Sequence, residues 1–296
     1  MIRVRALVVV LALAVAATPA HAATAVDAPT KVVRVGKQKV GYRTFGTGRP
    51  LVMVMGLSGT MDSWDPTFLD ALAAGGHRIV LLDNEGVGRT TRLKGTLTIR
   101  RMGDTVAGLI KRLKLKCPDV AGWSMGGMIA QSFAVRHPKL VRRLVLMATA
   151  PGDGKGAPPT PDALKTLTGT GPTDVATVLG FLFPADQTAA RDAYVANILK
   201  RRPFEGMAPP AQSRRQTAAS FAWLISQDPD GKRVAKLTLP TLIGGGELDP
   251  LLPVANQRHL HEMIKGSQLV TYPDASHAFL FQHQAEWVPL MLKFLI

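Results

Sequence analysis

Cysteine is almost missing from this chain: Cys117 is the single one in 296 residues. An intramolecular disulfide is therefore excluded, stability has to come from packing, and no thiol near the N-terminus can carry a lipid anchor. There is also no H-E-x-x-H pattern and no Cys/His cluster, so nothing in the sequence asks for a catalytic metal. Acidic residues are scarce, 21 against 36 Lys and Arg, and the formal net charge is +15. Aromatic residues make up only 6% of the chain. They do not interleave with the basic groups Lys111-Arg112, Arg142-Arg143, Lys200-Arg201-Arg202 and Arg214-Arg215, as a base-stacking surface requires. These groups read as solvated surface. A nucleic-acid role is not expected, whereas the positive balance would favour an anionic envelope surface or substrate.

A long apolar run is missing as well. The stretch Ala6 to Ala17 has about 12 residues, well short of the roughly 20 that span a bilayer as a helix. Arg3 and Arg5 precede it, and Pro19 and Ala20-His21-Ala22 follow. That combination reads as a secretory signal peptide over residues 1–22, which predicts a secreted, periplasmic or cell-envelope protein. Losing the two leader arginines would lower the net charge to +13. The rest, in a chain that is 46% hydrophobic and 19% charged, suits a globular α/β domain carrying an inserted subdomain.

β-branched runs at Val32 to Val35 and Val40 to Phe45, joined by Gly36-Lys37-Gln38-Lys39, predict an antiparallel hairpin at a sheet edge. Leu51 to Met55, Ile79 to Leu82 and Leu144 to Met147 are nearly unbroken apolar runs, as strands covered on both faces of a parallel sheet require. Between them, Ile99 to Leu115 has a helical period, a strand falls near Val120, and a helix runs from Met125 to Arg136. After Ala150 glycines and prolines crowd together, and the following segment has helical stretches without a convincing strand. Alternation resumes with a strand at Thr241 to Gly244, a helix around Val254 to Ile264, a strand at Leu269 to Tyr272 and a last helix from about Gln282. The expected organisation is an α/β core over residues 23–149 and 237–296, with a helical insertion over 150–236.

The pentapeptide Gly122-Trp123-Ser124-Met125-Gly126 sits between the Val120 strand and the following helix, where a G-x-S-x-G nucleophile elbow belongs. Chance produces on the order of 0.1 such matches in a chain of this composition, so the strand-to-helix context carries the weight. A serine hydroxyl needs a base to remove its proton and a third group to orient that base. His277 follows the last buried strand and can reach the same sheet edge, while the other six histidines have ordinary placements. Asp249, in Gly246-Glu247-Leu248-Asp249-Pro250, is the favoured acid, with Glu247 and Asp274 as competitors.

These motifs, in the order serine, acid, histidine, resemble the α/β-hydrolase superfamily across nearly the whole mature chain. The segment Met55-Gly56-Leu57-Ser58-Gly59 is similar to the family's H-G-x loop, with Met55 in the place of histidine. The resemblance implies oxyanion-hole N–H groups from Leu57 and Met125. Asp83 to Thr90 looks like the family's D-x-R-G-x-G-x-S turn with Glu85 replacing arginine, and is read as structural. The insertion corresponds to the family's cap, in which Phe181-Leu182-Phe183 and Phe221-Ala222-Trp223 are expected mainly to pack. The implied activity is cofactor-free hydrolysis of carboxylic esters of a small or medium apolar substrate through a Ser124-His277-Asp249 triad. Its serine-methionine-glycine context is similar to cofactor-free haloperoxidases, which implies perhydrolysis as a side activity. Acyl transfer to an alcohol, or a binding protein on the same fold, are the competing readings.

Overall fold

The computed structural model describes residues 24–296; the leader expected over 1–22 lies outside them. Eight strands form one sheet: β1 Lys31–Val35, β2 Gln38–Phe45, β3 Arg49–Val54, β4 His77–Leu82, β5 Asp119–Trp123, β6 Leu144–Met147, β7 Thr241–Gly246 and β8 Gln268–Tyr272. Their spatial order is β1-β2-β4-β3-β5-β6-β7-β8. The β1–β2 and β2–β4 pairs are antiparallel and the remaining pairs are parallel. The hairpin turn is shorter than expected, since Gln38 and Lys39 already belong to β2.

The unbroken apolar strands are explained by their two faces. Val52, Val54, Val80, Leu82, Leu144 and Leu146 point into one apolar layer. Their neighbours Leu51, Met53, Ile79, Leu81, Val145 and Met147 point into the other. Period-two alternation thus makes every residue of these apolar runs a core residue. Helices α2 (Ile99–Arg112) and α3 (Met125–Arg136) cover the first layer. Helix α1 (Pro66–Ala74) packs over the second, its start fixed by Asp65, whose side chain accepts the Thr67 N–H.

Between β6 and β7 the chain forms α4 (Pro161–Thr168), α5 (Val175–Leu182), α6 (Thr188–Ile198), α7 (Pro210–Leu224) and a 3-10 turn at Gly231–Lys236, with no strand. After β7 come α8 (Ala255–Met263), then α9 (Phe279–Gln282) and α10 (Gln284–Leu295); the terminal helix expected from about Gln282 is α10, and the four-residue α9 precedes it. Trp223 and Phe183 are buried, as packing residues should be, while Phe181, Leu182 and Phe221 are half-buried.

The basic groups are not all solvated surface. Arg142 makes a two-pronged contact with the buried Asp119 carboxylate at 2.9 and 2.7 Å. Arg201 lies 3.2 Å from the buried Asp62, which also pairs with the buried Arg43. Arg215 approaches Glu85 at 3.6 Å. The acidic partners lie far away in sequence, so a local reading of charge runs could not find them.

Candidate active site

All the candidate residues lie beyond the carboxyl ends of parallel strands, the edge at which α/β sheets form their sites. Leu57 follows β3, Ser124 follows β5, Asp249 follows β7 and His277 follows β8. Ser124 has φ 58° and ψ −125°, a conformation that non-glycine residues adopt only where surrounding structure enforces it. The enforcement comes from close backbone approach. A methyl carbon at Gly126 would lie 2.0 Å from the Val54 carbonyl oxygen, and one at Gly122 would lie 2.2 Å from the Gly126 carbonyl oxygen. Only glycine fits at either place. The Ser124 side chain does not cap α3, so its hydroxyl is left free for chemistry.

His277 and Asp249 are brought together. The imidazole Nδ1 lies 2.6 Å from Asp249 Oδ2, and both residues are buried. The other carboxylate oxygen accepts the N–H groups of Leu251 and Leu252, each at 2.9 Å. Asp249 is therefore held by its own turn while it holds the imidazole. The competing carboxylates are engaged elsewhere: Glu247 accepts from Arg258 and Thr271, and Asp274 pairs with His283. The elbow also supports the histidine loop. Trp123 donates its indole N–H to the His277 carbonyl at 3.0 Å, and the two rings lie 5.7 Å apart. The sequence reading of the elbow gave Trp123 no role, although its position next to Ser124 was the available signal.

The loop after β3 lies against the elbow. A methyl carbon at Gly56 would be 3.1 Å from Ser124 Cβ and 3.6 Å from its Oγ, so no side chain separates the two backbones. Neither the Leu57 nor the Met125 N–H has an intramolecular acceptor among the described residues. Met125 begins α3, where backbone N–H groups point out of the helix and favour negative charge. Met55 is buried, with its Cγ and Sδ packed under Gly59. In the absence of a histidine, Asn84 braces this loop by donating to the Met55 carbonyl at 2.7 Å. Glu85 is buried and receives Arg101 at 2.7 and 2.6 Å, which explains how an acid occupies a position the resemblance assigns to arginine.

This fold and site define a class, and the sequence comparisons place the chain in it. The profile of the alpha/beta hydrolase fold family matches residues 49–284, and the chain belongs to that family. A Mycobacterium tuberculosis protein, BpoC, named provisionally as a non-heme bromoperoxidase, is 40% identical over 110 residues; the match spans 37% of this chain and 42% of that relative's length. The 2-hydroxymuconate semialdehyde hydrolase of a Pseudomonas species is 27% identical over 286 residues, covering 91% of this chain and 96% of that one. Among solved structures, an alpha/beta hydrolase fold protein from Chitinophaga pinensis superposes with a TM-score of 0.77 at 23% identity, covering 92% of this chain and 99% of that one.

Proposed function

We propose that the protein is an exported serine hydrolase that cleaves carboxylic esters of small or medium apolar substrates. The observation that carries this reading is the buried His277–Asp249 contact at the sheet edge where the strained Ser124 presents an uncommitted hydroxyl. With Nδ1 engaged by Asp249, Nε2 is the nitrogen left to take the serine proton; Ser124 Oγ and His277 Nε2 are not hydrogen-bonded to each other in the structure, and that bond is proposed to form when substrate is in place.

Ser124 Oγ attacks the acyl carbon as its proton passes to His277 Nε2, and the carbonyl oxygen becomes an oxyanion facing the Leu57 and Met125 N–H groups. Collapse expels the alcohol, which takes the proton from His277. Water then attacks the acyl-enzyme, gives its proton to His277, and the second tetrahedral species releases the acid and returns the proton to Ser124. Asp249 stabilises the imidazolium in both halves of the cycle. No cofactor enters this sequence.

The apolar preference rests on the insertion. Helix α5, of sequence Val-Ala-Thr-Val-Leu-Gly-Phe-Leu, has no buried residue, and Val175 is 75% exposed. Its C-terminal carbonyls reach the histidine loop: Phe181 accepts the Ser276 hydroxyl and Leu182 accepts the Ala278 N–H. Leu248, beside Asp249, is also exposed. In the proposal these exposed apolar side chains, near the histidine loop, are where an acyl chain approaches.

The test is hydrolysis of p-nitrophenyl esters from acetate to octanoate by the mature protein and by Ser124→Ala. The expected result is turnover by wild type and a loss of at least about 10⁴-fold in kcat for the variant. A folded wild type that turns over none of the series would overturn the proposal in favour of a ligand-binding protein.

A further inference from the structure

The N–H group of Leu57 belongs to the peptide unit joining Gly56 to Leu57, and that unit lies between two anchored neighbours. On one side, the peptide joining Met55 to Gly56 is held through the Met55 carbonyl by Asn84 at 2.7 Å. On the other, the peptide joining Leu57 to Ser58 is held through the Ser58 N–H, which donates to Gln216 Oε1 of α7 at 2.7 Å. Ser58 is a non-glycine residue at φ 64°, a left-handed conformation that persists only where its surroundings over-determine it. Those surroundings come largely from the insertion. The Ser58 hydroxyl donates to Ser213 Oγ at 2.8 Å, the Ser58 carbonyl accepts the Ala208 N–H at 2.8 Å, and Thr60 donates to the Gly206 carbonyl at 2.9 Å.

We infer that Gln216, assisted by Ser213, is a positioning residue of the oxyanion hole, so that helix α7 of the insertion sets where the Leu57 N–H points. The inference rests on the serine-hydrolase reading above. Packing alone does not account for Gln216. It is fully buried, and while Oε1 accepts from Ser58, its Nε2 has no hydrogen-bond partner. An unsatisfied buried donor is unfavourable, and an apolar side chain of the same length would avoid it. What the glutamine supplies is an acceptor directed at one backbone N–H. Its own helix is fixed to the core by Gln212, which donates to the Glu85 carbonyl, and by Arg215, which donates to the Gly95 carbonyl at 2.7 Å. A displacement of α7 therefore moves the loop that carries Leu57.

The experiment compares wild type, Gln216→Met, which removes the strong acceptor at nearly constant shape, and Gln216→Glu, which keeps one. Two quantities are read: kcat and KM on p-nitrophenyl acetate, and inhibition by an alkyl trifluoromethyl ketone relative to its methyl ketone parent. The fluorinated ketone adds to the serine and places an oxyanion in the hole, while the parent binds without addition. The expected result for Gln216→Met is a loss of about 10- to 100-fold in kcat with KM within about twofold, because the effect is confined to the transition state. Trifluoromethyl ketone affinity should fall by a similar factor, methyl ketone affinity should hold, and Gln216→Glu should recover most of the loss. Should Gln216→Met not fold, Ser213→Ala is expected to shift both readouts in the same direction by several-fold. A wild type that hydrolyses ester while the folded variants match it in kcat and in the ketone ratio overturns the inference and leaves the serine-hydrolase reading intact. Equal weakening of both ketones makes Gln216 merely structural. A wild type that neither hydrolyses ester nor binds the fluorinated ketone overturns both readings.

Discussion

Asp249 accepts three hydrogen bonds, and only the one from His277 bears on the role proposed for it. An asparagine there keeps an oxygen for the Leu251 and Leu252 N–H groups but presents an N–H to the imidazole, which forces the opposite tautomer. Asp249→Asn should therefore fold with nearly unchanged stability and lose about 10⁴-fold in kcat. Steady-state kinetics beside a thermal melt checks this, and a loss of stability comparable to the loss of activity would contradict it. Asp83 gives a different residue-level expectation. Burial pushes its carboxyl up to about 6, although it accepts the Met61 and Arg89 N–H groups. A folded-state value above the ordinary 3.8 means that the native protein binds the proton more tightly. The contribution of this group to stability is thus full below about pH 4 and is lost as pH rises through about 6. Urea unfolding across that window should show wild type losing on the order of 2 kcal/mol relative to Asp83→Asn. Parallel profiles for the two proteins would refute it.

At the level of elements, the elbow depends on backbones meeting without side chains between them. Gly126→Ala would drive a methyl group into the Val54 carbonyl of β3, a backbone atom that cannot move aside cheaply. The expected result is a destabilisation of about 3 kcal/mol or more together with near-complete loss of activity, read by denaturant unfolding and esterolysis. Elements governed by local pattern were legible in the sequence. Helix α3 and strand β6 have the expected limits because His137-Pro138 ends one and four apolar residues define the other. Helix α1 has a sound start signal in Asp65-Pro66, but its nine residues carry too little periodicity to stand apart in the sequence. The terminal helix α10 begins within two residues of its expected start at Gln282, whereas the four-residue α9 before it is too short to carry a helical period.

The whole molecule couples parts that are distant in sequence, and this is where sequence reading stopped. Ser124, Asp249 and His277 could be proposed because each follows a recognisable strand. The partners that hold them could not. Gln216 meets Ser58 across 158 positions, and Trp123 meets the His277 carbonyl across 154. Such contacts follow from how the insertion sits on the sheet, which no periodicity encodes. The same placement closes an ion cluster of Arg43, Asp62, Arg201 and Glu205 between core and insertion. In the proposed function the whole assembly makes a single serine among nine reactive. The most direct measurement is mass-spectrometric mapping of the adduct formed by a fluorophosphonate with the natively folded protein. One adduct, on the peptide containing Ser124 and absent after denaturation before labelling, is the predicted result. No adduct on the folded protein, or an adduct on a different serine, would contradict the account.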